Sequence, residues 1–430
     1  MEVFKISENS LIYFVDDIPF IGNFELGSVI AFNEEGYNFL KRILKKDTIS
    51  FDEFTQEEKN WFSTLLECEI LKSLNSSSTL ITNNEIDAIY LHFTNNCNIY
   101  CKGCYSFNKY RNKEDFDLSV DVFVDSIKQL KNYGLKRVII SGGEPTLRDD
   151  LEVLLREIKN ISIEYVCLIT NGIYFPEKLI NVVKECVNEV SVSIDGYNEN
   201  ISYIRPAWIY NRVIDTIRVL KENEINVSMI VTLHRQNVGV MNEYKLLSEK
   251  LGVPFSYSIL VCNNNNRDEC KEFEFDDNSL YKIKWDQDIE NTKIENFEFE
   301  TRLSCEAGKR LLSIAANGDV YPCHMLHDEF FKFGNIKDMA IPEILMSASR
   351  LLFKFITVDF IKECNACKFR YLCGGGCRAN AFYKNSDVLS KDPYCSMYYN
   401  FYNTILSLLR QQNLEHANTS KEELNEEQAT

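Results

Sequence analysis

Long apolar runs are missing from this chain. None reaches the roughly 18 residues that a membrane-spanning helix needs. The N-terminus also lacks a basic stretch followed by an apolar one, so no secretory signal is read and the expected location is the cytoplasm. Positive charge is short as well. With 47 Lys and Arg against 64 Asp and Glu, the net charge of -17 repels nucleic-acid phosphate and anionic membrane, and neither is an expected partner. Cysteine, by contrast, is abundant, with 15 residues. A reducing compartment disfavours a disulfide framework, which leaves metal or cluster ligation as the leading explanation for their bunching. At 430 residues and 45% hydrophobic composition, the chain is long enough for a large core and more than one domain.

The densest bunch is Cys97-Asn98-Ile99-Tyr100-Cys101-Lys102-Gly103-Cys104. Three thiolates so spaced can hold an iron-sulfur cluster and leave one iron unligated, free to bind a small molecule. Around them, residues 85 to 260 alternate short apolar runs with amphipathic segments, the pattern of consecutive strand-helix units and a parallel sheet. Six strands are predicted: Ala88 to Phe93, Arg137 to Ile140, Tyr165 to Ile169, Glu189 to Ile194, Asn226 to Thr232 and Pro254 to Leu260. Helices are predicted over Val120 to Tyr133, Leu151 to Lys159, Glu177 to Cys186, Arg212 to Lys221 and Met241 to Leu251. Such sheets place functional groups at the C-terminal ends of their strands. Cys97 follows the first strand, Gly142-Gly143-Glu144-Pro145 the second, Asn171-Gly172 the third and Asp195-Gly196 the fourth. Each is an ordinary turn signal alone, and their shared placement at one rim carries the information.

The first 80 residues have a different texture. Leu11 to Phe14 and Phe20 to Phe32 read as strands, and two helices follow. Ser50 with Glu53 and Thr55 with Glu58 have capping-box spacing, the second opening a helical face with Trp61, Phe62, Leu65 and Leu66. The polar stretch Asn75 to Asn84 reads as a linker. A winged-helix DNA binder, a peptide-docking module and a structural cap all fit this order, but 14 acidic against 7 basic residues over positions 1–80 disfavour phosphate binding. Docking of an extended peptide on a strand edge is chemically easier.

Seven more cysteines follow residue 300: Cys305, Cys323, then Cys364-x2-Cys367-x5-Cys373-x3-Cys377, and Cys395. The two-residue knuckle suits zinc, yet seven ligands fill neither one zinc site nor two. Two zinc sites with one ligand missing and two iron-sulfur clusters with one incompletely ligated both remain open. Cys68, Cys167 and Cys186 lie on apolar faces and read as small buried hydrophobes.

Together these residues resemble the radical S-adenosylmethionine (SAM) superfamily, in its subgroup with a C-terminal SPASM domain. The resemblance spans roughly residues 85 to 400. It rests on the Cys97, Cys101, Cys104 triplet, the Gly142-Gly143-Glu144-Pro145 turn and the C-terminal array with Gly318 between Cys305 and Cys323. It implies an α/β chain with a partial (β/α)6 barrel over 85–300 and a SPASM domain over 301–410; ahead of these a winged-helix-like domain is expected over 1–80, and the polar, acidic stretch 411–430 is expected to be disordered. Cys97, Cys101 and Cys104 would hold a 4Fe-4S cluster that chelates SAM and cleaves it reductively to a 5'-deoxyadenosyl radical. Gly142, Gly143 and Glu144 would receive the methionine amino group. Asn171, Ser193 and Asp195 sit where relatives contact ribose or methionine, and Arg205 would pair with the carboxylate.

Two auxiliary 4Fe-4S clusters are implied, three clusters in all. Cys305, Cys323 and Cys377 would hold the first, with a fourth iron open to a peptide thiolate or closed by Cys262 or Cys270. Cys364, Cys367, Cys373 and Cys395 would hold the second. Two residues depart from the pattern: Gly103 stands where an aromatic is usual, and His324 stands where sulfatase-maturing relatives carry an aspartate base. The N-terminal part resembles the winged-helix element that captures precursor leaders, through Leu26-Gly27-Ser28 and Phe32-Asn33-Glu34-Glu35-Gly36. The implied activity is hydrogen abstraction from a ribosomally made precursor peptide to close a thioether or carbon-carbon crosslink. A low-potential flavodoxin or ferredoxin would supply the electron. Oxidation of a Cys or Ser by a sulfatase-type maturase is the enzymatic alternative, and a zinc-structured DNA-binding regulator the non-catalytic one. Anaerobic metal analysis is expected to return about 12 iron with matching sulfide per chain, whereas zinc without iron eliminates the radical reading.

Overall fold

The computed structural model describes residues 4–45, 51, 54–73, 86–107, 111–113, 117–283 and 300–428, with side chains through residue 411. The capping box at Ser50 and Glu53 and the linker over Asn75 to Asn84 lie outside them.

The N-terminal part contains β1 (Phe4–Ile6), β2 (Ser10–Val15), β3 (Ile18–Asn23), β4 (Val29–Ala31), α1 (Glu34–Ile43), α2 (Gln56–Glu67) and β5 (Leu71–Ser73). The strand-like run over Phe20 to Phe32 resolves into β3 and β4, because the chain turns back between Asn23 and Ser28, whose backbones are bonded at 2.8 Å. β2, β3 and β4 form one antiparallel sheet, while β1 pairs with β5. Asn33 caps α1 through the Gly36 N–H, and Thr55 with Glu58 forms the reciprocal capping box at the start of α2. Alternation along β3 sends Ile21 toward the helices, where it joins Phe39, Leu40, Phe62 and Leu65. Phe20, with Tyr13, Val15 and Ile18, packs instead on Phe369, Leu372 and Leu406 of the C-terminal region.

The centre of the molecule is a sheet of six parallel strands in sequential order. β6 (Ala88–Thr94), β7 (Arg137–Gly142), β8 (Tyr165–Thr170), β9 (Glu189–Ile194), β10 (Val227–Leu233) and β11 (Phe255–Ile259) each pair in parallel with the next. The connecting helices are α3 (Val120–Lys131), α4 (Leu151–Asn160), α5 (Glu177–Cys186), α6 (Tyr210–Glu222) and α7 (Met241–Leu251). One face of the sheet carries Val138, Ile140, Leu168, Val190, Val192, Met229 and Val231, all buried against helix residues such as Phe123, Leu155 and Ile217. Burying each such side chain contributes about 1.5–3 kcal/mol. The opposite face carries Ser141, Ser193, Ile230, Thr232 and Ser258, which line an internal cavity.

Beyond β6 the sheet continues through β12 (Leu311–Ile314), β13 (Asp319–Tyr321) and β14 (Gly334–Asn335). β12 runs parallel to β6 and the last two are antiparallel. The sheet therefore does not end at the boundary read near residue 300. The final helix runs Cys395–Gln428 and so carries through the stretch expected to lack structure. Its segment beyond residue 395 contains neither Gly nor Pro, the residues that would stop it. Among the described residues no helix is long and apolar enough to cross a membrane.

Gly22 fits where nothing larger does. A Cβ on it would stand 2.5 Å from the side chain of Thr301, which is itself buried and bonded through its backbone N–H to the Gly27 carbonyl at 2.7 Å. Gly22→Val is expected to wedge the N-terminal sheet from this strap. Hydrogen exchange should then rise in β3 and residues 300–303 while β6 to β11 stay protected; unchanged exchange in β3 would refute the close fit.

Candidate active site

The C-terminal ends of the parallel strands open into a cavity of about 170 Å³. Its rim depends on a close backbone approach. The Gly143 N–H donates to the Thr94 carbonyl and the Glu144 N–H to the Asn96 carbonyl, both at 2.7 Å. A Cβ would lie 2.4 Å from the Thr94 oxygen at Gly142, whose φ is +125°, and 2.1 Å from the Asn96 oxygen at Gly143. The turn after β7 is thus locked onto the chain leading into Cys97.

Glu144 is buried and accepts from Thr146 Oγ1, Thr170 Oγ1 and the Asn171 N–H, each at 2.7 Å. Burial pushes its carboxyl up, with these donors opposing the shift. Asn171 in turn donates to Asn98 Oδ1 at 2.8 Å and reaches Cys97 Sγ at 3.9 Å. Ser193 lines the cavity. Asp195 does not: its Oδ2 accepts the Arg205 N–H at 3.0 Å, with further backbone donors from Ile204 and Tyr203. Its position supports the loop that carries Arg205. The half-buried Arg205 side chain lies beside Cys101, and its buried Nε and Nη1 have no hydrogen-bond partner in the structure. A cation with buried, unsatisfied donors fits an anionic ligand such as a carboxylate.

Arg111 was not legible as a site residue, since it sits in a polar stretch without a recognisable spacing. Its Nη2 donates to Cys104 Sγ and to Ser106 Oγ, both at 3.3 Å. Burial raises the Cys104 pKa, but Arg111 and Ser106 outweigh it and the net shift is downward. Burial instead pushes Cys101 up to about 12, Arg205 notwithstanding. His324 is half-buried at the cavity wall, stacked on Tyr90 with ring centroids 3.8 Å apart.

The ten predicted ligand cysteines fall into three mutually interacting groups. Cys97, Cys101 and Cys104 form one. Cys305, Cys323 and Cys377 form the second, with Cys323 pushed up to about 12 by burial and then by Cys305. Cys364, Cys367, Cys373 and Cys395 form the third. Cys373 and Cys377 belong to different groups although only three residues separate them. Gly374, Gly375 and Gly376, with φ of +65°, +89° and +74°, turn the chain between the two. Cys262 and Cys270 close neither group, because they are bonded to each other. Cys167 and Cys186 are buried as expected, and Cys68 is half-buried.

Known proteins place this arrangement. The radical SAM superfamily profile matches residues 91–246, and the SPASM iron-sulfur cluster-binding domain matches 305–368. The PqqA peptide cyclase of Bradyrhizobium diazoefficiens is 22% identical over 331 residues, covering 72% of this chain and 86% of its own. The cysteine-type anaerobic sulfatase-maturating enzyme of Clostridium perfringens is 24% identical over 345 residues, covering 71% and 92%. SuiB of Streptococcus suis, solved with its precursor peptide SuiA, superposes with a TM-score of 0.57 at 16% identity, covering 92% of this chain and 100% of that one.

Gly143→Ala is expected to push the two backbones apart and weaken SAM binding at least tenfold, about 1.4 kcal/mol, in anaerobic equilibrium dialysis. Gly239→Ala meets open space and serves as the neutral control. Equal affinities for the two variants would refute the locked turn. With its two matched domains, the chain belongs to the radical SAM superfamily, in the group carrying a SPASM domain.

Proposed function

We propose that this enzyme is a peptide maturase of the cytoplasm that removes hydrogen from a ribosomally made precursor and closes a thioether or carbon-carbon crosslink. The observation that carries this reading is the seating of the N-terminal sheet on the cysteine-rich region, through Tyr13, Val15, Ile18 and Phe20 against Phe369, Leu372 and Leu406. A module that captured a leader peptide there would deliver the following residues toward the clusters. β2 and β4 are the outer strands of that sheet and offer edges for an added peptide strand. The likeness to SuiB across 92% of the chain, N-terminal part included, supports the same assignment of a winged-helix-like recognition element over 1–80. The sequential order of β6 to β11 supports a partial (β/α)6 barrel over 85–300.

In this reading Cys97, Cys101 and Cys104 hold the SAM cluster, Cys305, Cys323 and Cys377 the first auxiliary cluster, and Cys364, Cys367, Cys373 and Cys395 the second. Bound SAM supplies the 5'-deoxyadenosyl radical on one-electron reduction by a flavodoxin or ferredoxin. The chain's own work is positioning. Gly142, Gly143 and Glu144 receive the amino group, Arg205 the carboxylate, and Asn171 and Ser193 the remaining polar atoms. Asp195 fixes the loop of Arg205 from behind. The group of Cys305, Cys323 and Cys377 leaves one ligand position for an acceptor thiolate of the peptide, which favours thioether closure.

Co-expression with short peptides encoded beside the gene is expected to yield a product lighter by two hydrogens. An unchanged mass, together with conversion of a sulfatase-derived Cys peptide, would replace this reading with that of a sulfatase-type maturase.

A further inference from the structure

Cys262 and Cys270 belong to none of the three cysteine groups. Their sulfurs are bonded to each other across eight residues, with Cα atoms 5.7 Å apart. The loop they close follows β11 and lies along the outside of the Cys97–Cys104 loop. Asn263 Nδ2 donates to the Tyr105 carbonyl at 2.9 Å and Asn266 Nδ2 to the Cys104 carbonyl at 2.8 Å. Farther along, Glu269 accepts from Tyr100 and Glu272 pairs with Lys102 at 3.0 Å.

Cys270 is fully buried and takes the space beside Gly103. A Cβ on Gly103, at φ +74°, would stand 3.0 Å from Cys270 Sγ and 3.4 Å from Leu260. The glycine that departs from the usual aromatic is therefore the place where this sulfur pair packs. Ile204, Leu260 and Phe273 complete the apolar seam, with Cys101 against it. The two sulfurs are not equally reachable. Cys262, 8% exposed, borders a separate cavity of about 180 Å³ lined in part by Glu274, Asn380, Lys384 and Tyr394, whereas Cys270 has no exposed surface.

We propose that Cys262 and Cys270 form a redox-responsive staple that fixes the 262–273 loop over the Cys97–Cys104 loop when oxidised and releases it when reduced. The oxidant is a low-molecular-weight disulfide, XSSX. The Cys262 thiolate attacks one of its sulfurs and expels XS⁻; the Cys270 thiolate then attacks the mixed disulfide at Cys262 and expels the second. Two electrons pass from the cysteine sulfurs to XSSX, and the two protons leave with two XSH. A small dithiol reverses the sequence. The staple restrains the loop that bears Cys101 and Cys104, so its closure slows loss of iron held there. This last consequence rests on reading that triplet as cluster ligands.

The test uses the anaerobically purified holoenzyme, equilibrated with mixtures of reduced and oxidised dithiothreitol, acid-quenched, alkylated and digested with trypsin. Arg267 lies between the two cysteines, so a closed staple joins the peptide 251–267 to the peptide 268–271. The linked pair is expected in the oxidising mixtures and two alkylated peptides in the reducing ones. Iron transfer to a chelator is expected to be severalfold faster for Cys270→Ser and for the double variant Cys262→Ala/Cys270→Ala than for the natural chain in the oxidising arm, and equal in the reducing arm. Alkylation of both cysteines in every mixture overturns the staple, and equal iron loss in the oxidising arm overturns its role. A chain that forms the linked pair but contains no iron overturns the cluster reading alone.

Discussion

The site depends on two backbones held closer than side chains allow. The paired bonds from Gly143 to Thr94 and from Glu144 to Asn96 join the turn after β7 to the chain entering Cys97. Everything else at the rim is referenced to that contact. Glu144 reaches the Asn171 N–H only because its turn is drawn inward, and Asn171 then reaches Cys97. Three consecutive strand ends are tied together without a charged pair. Backbone bonds of this kind are insensitive to salt and protonation.

Much of this was legible before any coordinates. The six strands and five helices of the central unit were readable because parallel strands covered by helices leave dense apolar runs at a regular interval. The boundaries agree closely, as at Glu189–Ile194 and Glu177–Cys186. Cysteine spacing separated the same three groups of thiols that the structure brings together. What escaped has a common cause: it depends on contacts between distant segments with no periodic signal. β12 to β14 are only two to four residues long and are held by pairing, β12 on β6 and the other two in turn on it. Arg111 gains its meaning from the Cys104 sulfur, and Gly103 from Cys270, 167 positions later in the chain. Asp195 stands at the expected strand end, with its carboxylate toward the Arg205 backbone, an orientation that spacing does not reveal.

The N-terminal sheet illustrates how one short strand serves two cores. Alternate residues of β3 pack on α1 and α2 through Ile21 and on the C-terminal region through Phe20. Tyr371 links the two, since its ring meets Tyr13 and Phe24 while its carbonyl accepts the Arg302 N–H at 2.8 Å. Arg302 precedes Cys305 by three positions, and Tyr371 precedes Cys373 by two. A chain of direct contacts thus runs from the sheet to the segments that bear both later cysteine groups.

The continuation of the central sheet from β6 into β12 bears on how such proteins are assembled. Cys97 and Cys323 leave strands of a single sheet, so their separation is set by strand spacing and not by a linker. Modular exchange would have to respect that continuity. A radical-generating unit ending at β11 presents the β6 backbone edge to solvent, a template for pairing with other chains. Any replacement for the cysteine-rich region must therefore bring its own strand to cover that edge. The cluster domain is in this respect a structural closure as well as a holder of iron.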